Sequence, residues 1–175
     1  MRDVQSERDP RNVPIDRVGI RDISWPIQVL DRANGTQETI ANVALSVFLP
    51  RDYRGTHMSR FIEVLSEQES RVTFHNMENL LRSLASHLNA DEAHAEFEFP
   101  YFVTKSAPVS GAKGRVRCDV RFEAVLKGDK FDLVTELITP IQTLCPCSKE
   151  ISEFGAHNYF SYARIAARMG SFVWI

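Results

Sequence analysis

Arg115-Val116-Arg117-Cys118-Asp119-Val120-Arg121-Phe122-Glu123-Ala124-Val125-Leu126 decides the fold class. Val116, Cys118, Val120, Phe122, Ala124 and Leu126 take every second position, and Arg115, Arg117, Asp119, Arg121 and Glu123 fall between them. A period of two with one apolar and one charged face predicts an antiparallel strand covered on one side only. The same alternation extends outward from it. Downstream, Lys127-Gly128-Asp129-Lys130 reads as a turn into a strand from Phe131 to about Thr139, closed by Pro140. Upstream, beyond a loop over Ser106–Gly114, Ala95, Phe97, Phe99 and Tyr101 face one way, with His94, Glu96 and Glu98 opposite. His75, His87 and His94 read as surface or helix-end residues, and Cys118 as core.

The pattern then changes period. Met77, Leu80, Leu81, Leu84 and Leu88 form one stripe at helical spacing. Asn76 reads as its N-cap and Asn89 as a left-handed stop. A shorter helix from Ser59 to about Ser66 would bury Phe61, Ile62 and Leu65. Before the helices, Val18–Leu30 and Ile40–Leu49 flank Asn34-Gly35, a two-residue hairpin signal. The order hairpin, two helices, hairpin predicts an α+β fold, an antiparallel sheet with two helices on its apolar face. No Gly-x-Gly-x-x-Gly fingerprint or P-loop appears. Residues 1–16, charged and carrying Pro10 and Pro14, read as an N-terminal arm. Residues 17–158 form one folding unit, and 159–175, ending Phe172-Val173-Trp174-Ile175, read as the start of a second.

Composition narrows the partners. Of 175 residues, 43% are hydrophobic and 25% charged, enough apolar content for a real core. The net charge of −2 and the lack of a basic run give no reason to expect nucleic acid or an anionic membrane. No apolar run reaches a membrane-span length and the N-terminus shows no signal region, so a cytoplasmic location is expected. Three cysteines are too few for a disulfide framework, which leaves metal binding or catalysis.

The chemistry gathers in Leu144-Cys145-Pro146-Cys147-Ser148-Lys149-Glu150-Ile151-Ser152-Glu153-Phe154-Gly155-Ala156-His157-Asn158. Thiolate and imidazole together suit a borderline-soft ion such as zinc, with Cys145 and His157 as the leading ligands. A helix over about Ser148–Phe154, ended by Gly155, would put Cys145 and Cys147 at its N-terminal end, where thiolate is favoured. Cys147 as a third ligand makes a tight chelate across Pro146; Glu150 and Glu153 are alternatives, and a structural turn with partly buried thiols explains the cysteines without metal. Lys149 is placed to meet phosphate, and His57 and Arg60 to meet substrate or a neighbouring subunit. For Glu136, a cross-strand ion pair is the simpler role.

Leu137-Ile138-Thr139-Pro140, the Cys145–Ser152 block and Gly155-Ala156-His157-Asn158 together resemble the type IB GTP cyclohydrolases. Gly55-Thr56-His57-Met58-Ser59-Arg60-Phe61 and Asp3-Val4-Gln5 resemble the same family. The resemblance covers nearly the whole chain and implies a tunnelling fold that closes its sheet edges by forming homo-oligomers. It implies hydrolysis of GTP to 7,8-dihydroneopterin triphosphate and formate, the entry to folate, with zinc or manganese held by Cys145 and His157 and with Cys147 beside them. It also implies a longer protein of two tandem units, whose further ligands and guanine anchor lie in the later part. The family tends to read Gln-Arg where this chain has Tyr159-Phe160. Two other readings compete: a metal-free tunnelling-fold enzyme acting on a purine or pterin through a cysteine nucleophile, and a non-catalytic or incomplete subunit.

Overall fold

A computed structural model describes residues 13–51, 53, 55–68, 71–154, 157–168, 170 and 174. Most of the expected N-terminal arm, including Asp3-Val4-Gln5, lies outside these residues, as do Gly155 and most of the terminal apolar run. The elements are β1 (Ile15–Asp31), β2 (Gly35–Leu49), α1 (Met58–Glu67), β3 (Arg71–Val72), α2 (Phe74–Leu88), β4 (Glu92–Ser106), β5 (Lys113–Lys127), β6 (Lys130–Leu144), α3 (Pro146–Ile151) and β7 (Asn158–Arg168). All seven strands share one sheet in the order β3-β1-β2-β4-β5-β6-β7. Every pairing is antiparallel except the two-residue contact of β3 with β1. The fold is α+β and mostly sheet, as the alternation requires.

The helices cover one face. Val43, Leu45 and Val47 of β2, Ala95, Phe97 and Phe99 of β4, and Val120, Ala124 and Leu126 of β5 pack with Phe61, Val64 and Leu65 of α1 and with Met77, Leu80, Leu81 and Leu84 of α2. Cys118 joins the buried set, and its thiol donates to the Thr139 hydroxyl at 3.4 Å. Burial fades along β6 beyond Leu133, and β7 is largely exposed.

The opposite face is charged. Glu96 accepts from Arg17 and Arg121 at 3.2 and 2.7 Å, Glu136 pairs with Arg164 at 3.7 Å, and Asp132 pairs with Arg168 at 3.1 Å. Glu136 thus has the cross-strand partner its position suggested.

Several local expectations give way. Thr73 caps α2, its hydroxyl accepting from the Asn76 N–H at 3.1 Å. Asn76 instead reaches back to the Arg71 carbonyl, so the asparagine occupies the third helical position rather than the N-cap. Asn89 does end the helix in a left-handed conformation, at φ 49°. In α1, Val64 is buried and Ile62 stays exposed, because Phe61, Val64 and Leu65 fall at i, i+3 and i+4 on one helical face and Ile62 lies off it. The β1–β2 loop holds three residues, Arg32 to Asn34, and only Gly35, at φ 81°, needs positive φ. Buried Asp31 fastens that loop. Burial alone would raise its carboxyl, but donors from Ala33, Asn34 and Gln37 outweigh it and hold the pKa below the usual carboxylate range.

Pro140 does not close β6, which continues to Leu144. Pairing with β5 ends at Asp119–Ile138, and beyond it β6 pairs with β7 alone. A proline lacks an N–H, and it is tolerated where one side of a strand is unpaired. This extension carries the chain out to the candidate site.

His94 departs most from its expected surface position. It is buried, with Nε2 3.1 Å from Glu92, while Glu92 pairs with Lys127 at 3.0 Å. Burial, and then the Arg17 charge, push the His94 pKa below the ordinary histidine value, against the opposing pull of Glu92 and Glu123. The folded protein therefore holds this ring neutral. Its contribution to stability is complete above the unfolded value of about 6.5 and is lost as pH falls from there toward the lower folded value. The depressed carboxylates Asp31 and Glu92 act only at more acidic pH. Between about pH 6.5 and 5, the urea midpoint of the native protein is expected to fall, and that of His94→Gln to fall much less. Parallel curves for the two proteins would show that His94 is not responsible.

Candidate functional site

The site lies in the loop that joins β6 to β7. These strands form a hairpin whose last registered pair is Leu144–Asn158. Cys145 and His157 are the next residues outward, and the Cys145 N–H donates to the His157 carbonyl at 3.3 Å. Twelve residues apart in sequence, they face each other across the hairpin mouth. The intervening chain folds into α3, with Cys145 at its N-cap and Pro146 within its first turn. Proline has a preset φ and no N–H to lose, so the helix starts before Ser148 rather than at it. It ends at Ile151, where Ser152 turns extended.

Cys145 is partly buried and Cys147 exposed. The Cys145 thiol faces the Ser148 hydroxyl first, then the Ser148 and Cys147 amides. These contacts favour thiolate and hold its pKa below the ordinary thiol value. None has the geometry of a full helix-cap bond. The shift comes from these local hydrogen bonds, the Ser148 hydroxyl first, rather than from the helix dipole expected from sequence.

His157 is pinned from two sides. Its Nδ1 lies 2.6 Å from the Ser148 hydroxyl, and its ring meets Tyr159 edge-on at 4.8 Å. Ser148 escaped the sequence reading. Its signal was positional: it stands three residues after Cys145, the spacing that brings side chains together on a helical turn.

The other predicted residues are distributed differently. Lys149 is exposed on α3, makes no ion pair among the described residues, and uses its N–H on the Cys145 carbonyl at 3.2 Å. His57 is the N-cap of α1. Arg60 donates to the His87 carbonyl at 2.8 Å, tying α1 to the end of α2, and among the described residues no hydrogen bond or ion pair links it to the hairpin loop. Glu150 and Glu153 are exposed. Among the described residues, no three His, Cys, Asp or Glu side chains converge on a point. Cys145 and His157 fit a divalent metal in donor type and position, and they supply two donors where a catalytic zinc takes three.

A thiol-bearing and an imidazole-bearing residue thus stand opposite each other at the mouth of a hairpin, on a one-sided antiparallel sheet. A family described as "Type I GTP cyclohydrolase folE2" matches residues 1–175, and the chain belongs to that family. Similar proteins named "GTP cyclohydrolase FolE2" include those of Magnetococcus marinus, 45% identical over 99% of this chain, and Thiobacillus denitrificans, 45% identical over all of it. That of Fervidobacterium nodosum is 49% identical over the full chain. The chain spans 65%, 65% and 67% of the lengths of these three relatives. No helix among the described residues is long and apolar enough to cross a membrane.

Proposed function

We propose that the chain forms part of a metal-dependent GTP cyclohydrolase, converting GTP to 7,8-dihydroneopterin triphosphate and formate in folate biosynthesis. The convergence of Cys145 and His157 at the β6–β7 mouth carries this reading. Family membership and relatives named for this activity support it. The ion, zinc or manganese, would be held by the Cys145 sulfur and a His157 nitrogen. When bound, it supplies Lewis acidity that brings the pKa of a water toward neutrality. Cys145 would contribute negative charge to it, and His157 a neutral nitrogen donor. Lys149, exposed one residue beyond Ser148, is placed to meet the triphosphate. His57 and Arg60 are assigned to substrate or to a neighbouring subunit's site, and Cys147, two residues on, supports Cys145. At least one further donor is needed beyond those the described residues supply.

In this reading the sheet is a tunnelling fold that assembles as a homo-oligomer in the cytoplasm. Residues 1–16 are its arm, 17–158 its first unit and 159–175 the opening of a second. Formate release from GTP, measured with zinc or manganese and again after complete chelation, tests the proposal. Release that needs the ion and returns on its addition is expected. Full turnover after chelation would favour a metal-free enzyme using the Cys145 thiolate, a reading that its lowered pKa recommends. No turnover under either condition would leave the incomplete-subunit reading, which the two-donor site recommends.

A further inference from the structure

We infer that Tyr159 is a positioning residue for metal binding, its ring holding the His157 imidazole in one orientation before an ion arrives. The inference rests on the reading of His157 as a ligand. It is carried by the contact of the two rings, with centroids 4.8 Å apart and planes at 60°, and by the strand ladder that holds the tyrosine.

The rings meet because of where the strand begins. In extended chain, side chains two residues apart leave the backbone on the same side. Tyr159 lies inside the β6–β7 ladder, opposite Thr143, whereas His157 stands one residue beyond the last registered pair. The ladder therefore fixes the tyrosine, and the histidine backbone is tied by its carbonyl, which accepts from the Cys145 N–H at 3.3 Å. The imidazole still has its own rotations. Its contact with the Ser148 hydroxyl, 2.6 Å at Nδ1, is a single point about which the ring can pivot. The Tyr159 ring is a second contact, away from that point, and it stops the pivot. Nε2 is then the ring nitrogen with no hydrogen bond among the described residues.

Immobilising a free side chain on binding costs affinity, and a side chain held in place beforehand avoids that cost. For one side chain the saving corresponds to about a 2–10-fold gain in affinity. Inclined aromatic rings at this separation also attract each other beyond the area they bury, so the held orientation is itself favoured. The contact is between rings and not through the phenol oxygen, so a phenylalanine at position 159 should serve equally.

The test compares wild type, Tyr159→Phe and Tyr159→Leu by proton NMR of the metal-free chain, with zinc affinity measured in parallel. In the wild type, cross-relaxation between the two rings and a ring-current shift of the His157 ring protons are expected. Tyr159→Phe should keep both signatures and the wild-type affinity. Tyr159→Leu keeps apolar bulk without a ring; it should lose the ring-current shift and bind zinc about 2–10-fold more weakly. Its urea midpoint should not move, because Tyr159 is half-exposed and outside the core. Wild-type spectra without contact between the rings would overturn the inference before any variant is made. So would a Tyr159→Leu protein with wild-type zinc affinity, or a Tyr159→Phe protein that binds as weakly as Tyr159→Leu. If the rings are in contact and the wild type binds no zinc, the ligand reading of His157 fails, and the metal role of Tyr159 fails with it.

Discussion

Cys145→Ala is expected to remove metal-dependent formate release from GTP almost completely, with a loss of about a thousandfold or more. A bound ion that polarises the reacting centre and activates water is worth several kcal/mol, and each 1.36 kcal/mol is about a factor of ten in rate. In the proposed centre Cys145 supplies the anionic donor, and its removal leaves His157 alone of the two. Cys147, two residues on, is exposed and only supports the Cys145 thiol, so Cys147→Ala is expected to cost much less, about tenfold or below. Steady-state rates at saturating metal, with metal content measured on each protein, separate the two cysteines. Equal losses would mean that the roles assigned to them are wrong. A Cys145→Ala protein that keeps both its ion and its rate would sink the proposed centre.

Phe61→Ala is expected to cost about 3–5 kcal/mol of folding stability, a large share of the roughly 5–15 kcal/mol of an ordinary domain. The ring is wholly buried where α1 meets α2 and the sheet. Its removal leaves a cavity between α1, α2 and the sheet, and packed interiors refill such space only in part. Ile62, its neighbour, points outward, and Ile62→Ala should stay within about 0.5 kcal/mol. Urea unfolding followed by helix and aromatic signals gives both values from midpoints at constant slope. A cost below about 1 kcal/mol for Phe61→Ala would show that α1 is not an integral part of the core.

The sheet was legible because its strands alternate. Val43, Leu45 and Val47, or Phe97, Phe99 and Tyr101, can bury one face only if the strands pair as they do. Boundaries were less legible where two signals compete. Asn76 and Thr73 are both good caps, and local composition does not say which one the sheet will position. Pro140 reads as a stop unless it is known that β5 has already left that side of β6. His94 alternates with charged residues along β4, and its burial depends on the strands that pair beside it, at Ser46 and Val125 in register, and on its contact with Glu92. At the site, residue chemistry pointed to Cys145 and His157. Their direct opposition could not be read, because it depends on β6 running past its proline. Ser148 was invisible for a related reason: a serine next to two cysteines gains its role only when a helical turn and a hairpin bring three groups together.

The order of strands in the sheet also bears on how the chain folds. From β4 to β7, neighbours in space are neighbours in sequence, joined by short connections or by the α3 loop. Hairpins of this kind zip in about 1–10 μs, and pairings of low sequence separation precede those that must close long loops. The β2–β4 seam, by contrast, waits for α1 and α2 to be bridged. The reactive loop therefore belongs to the part of the molecule that can organise early, before the core that buries Phe61 has closed.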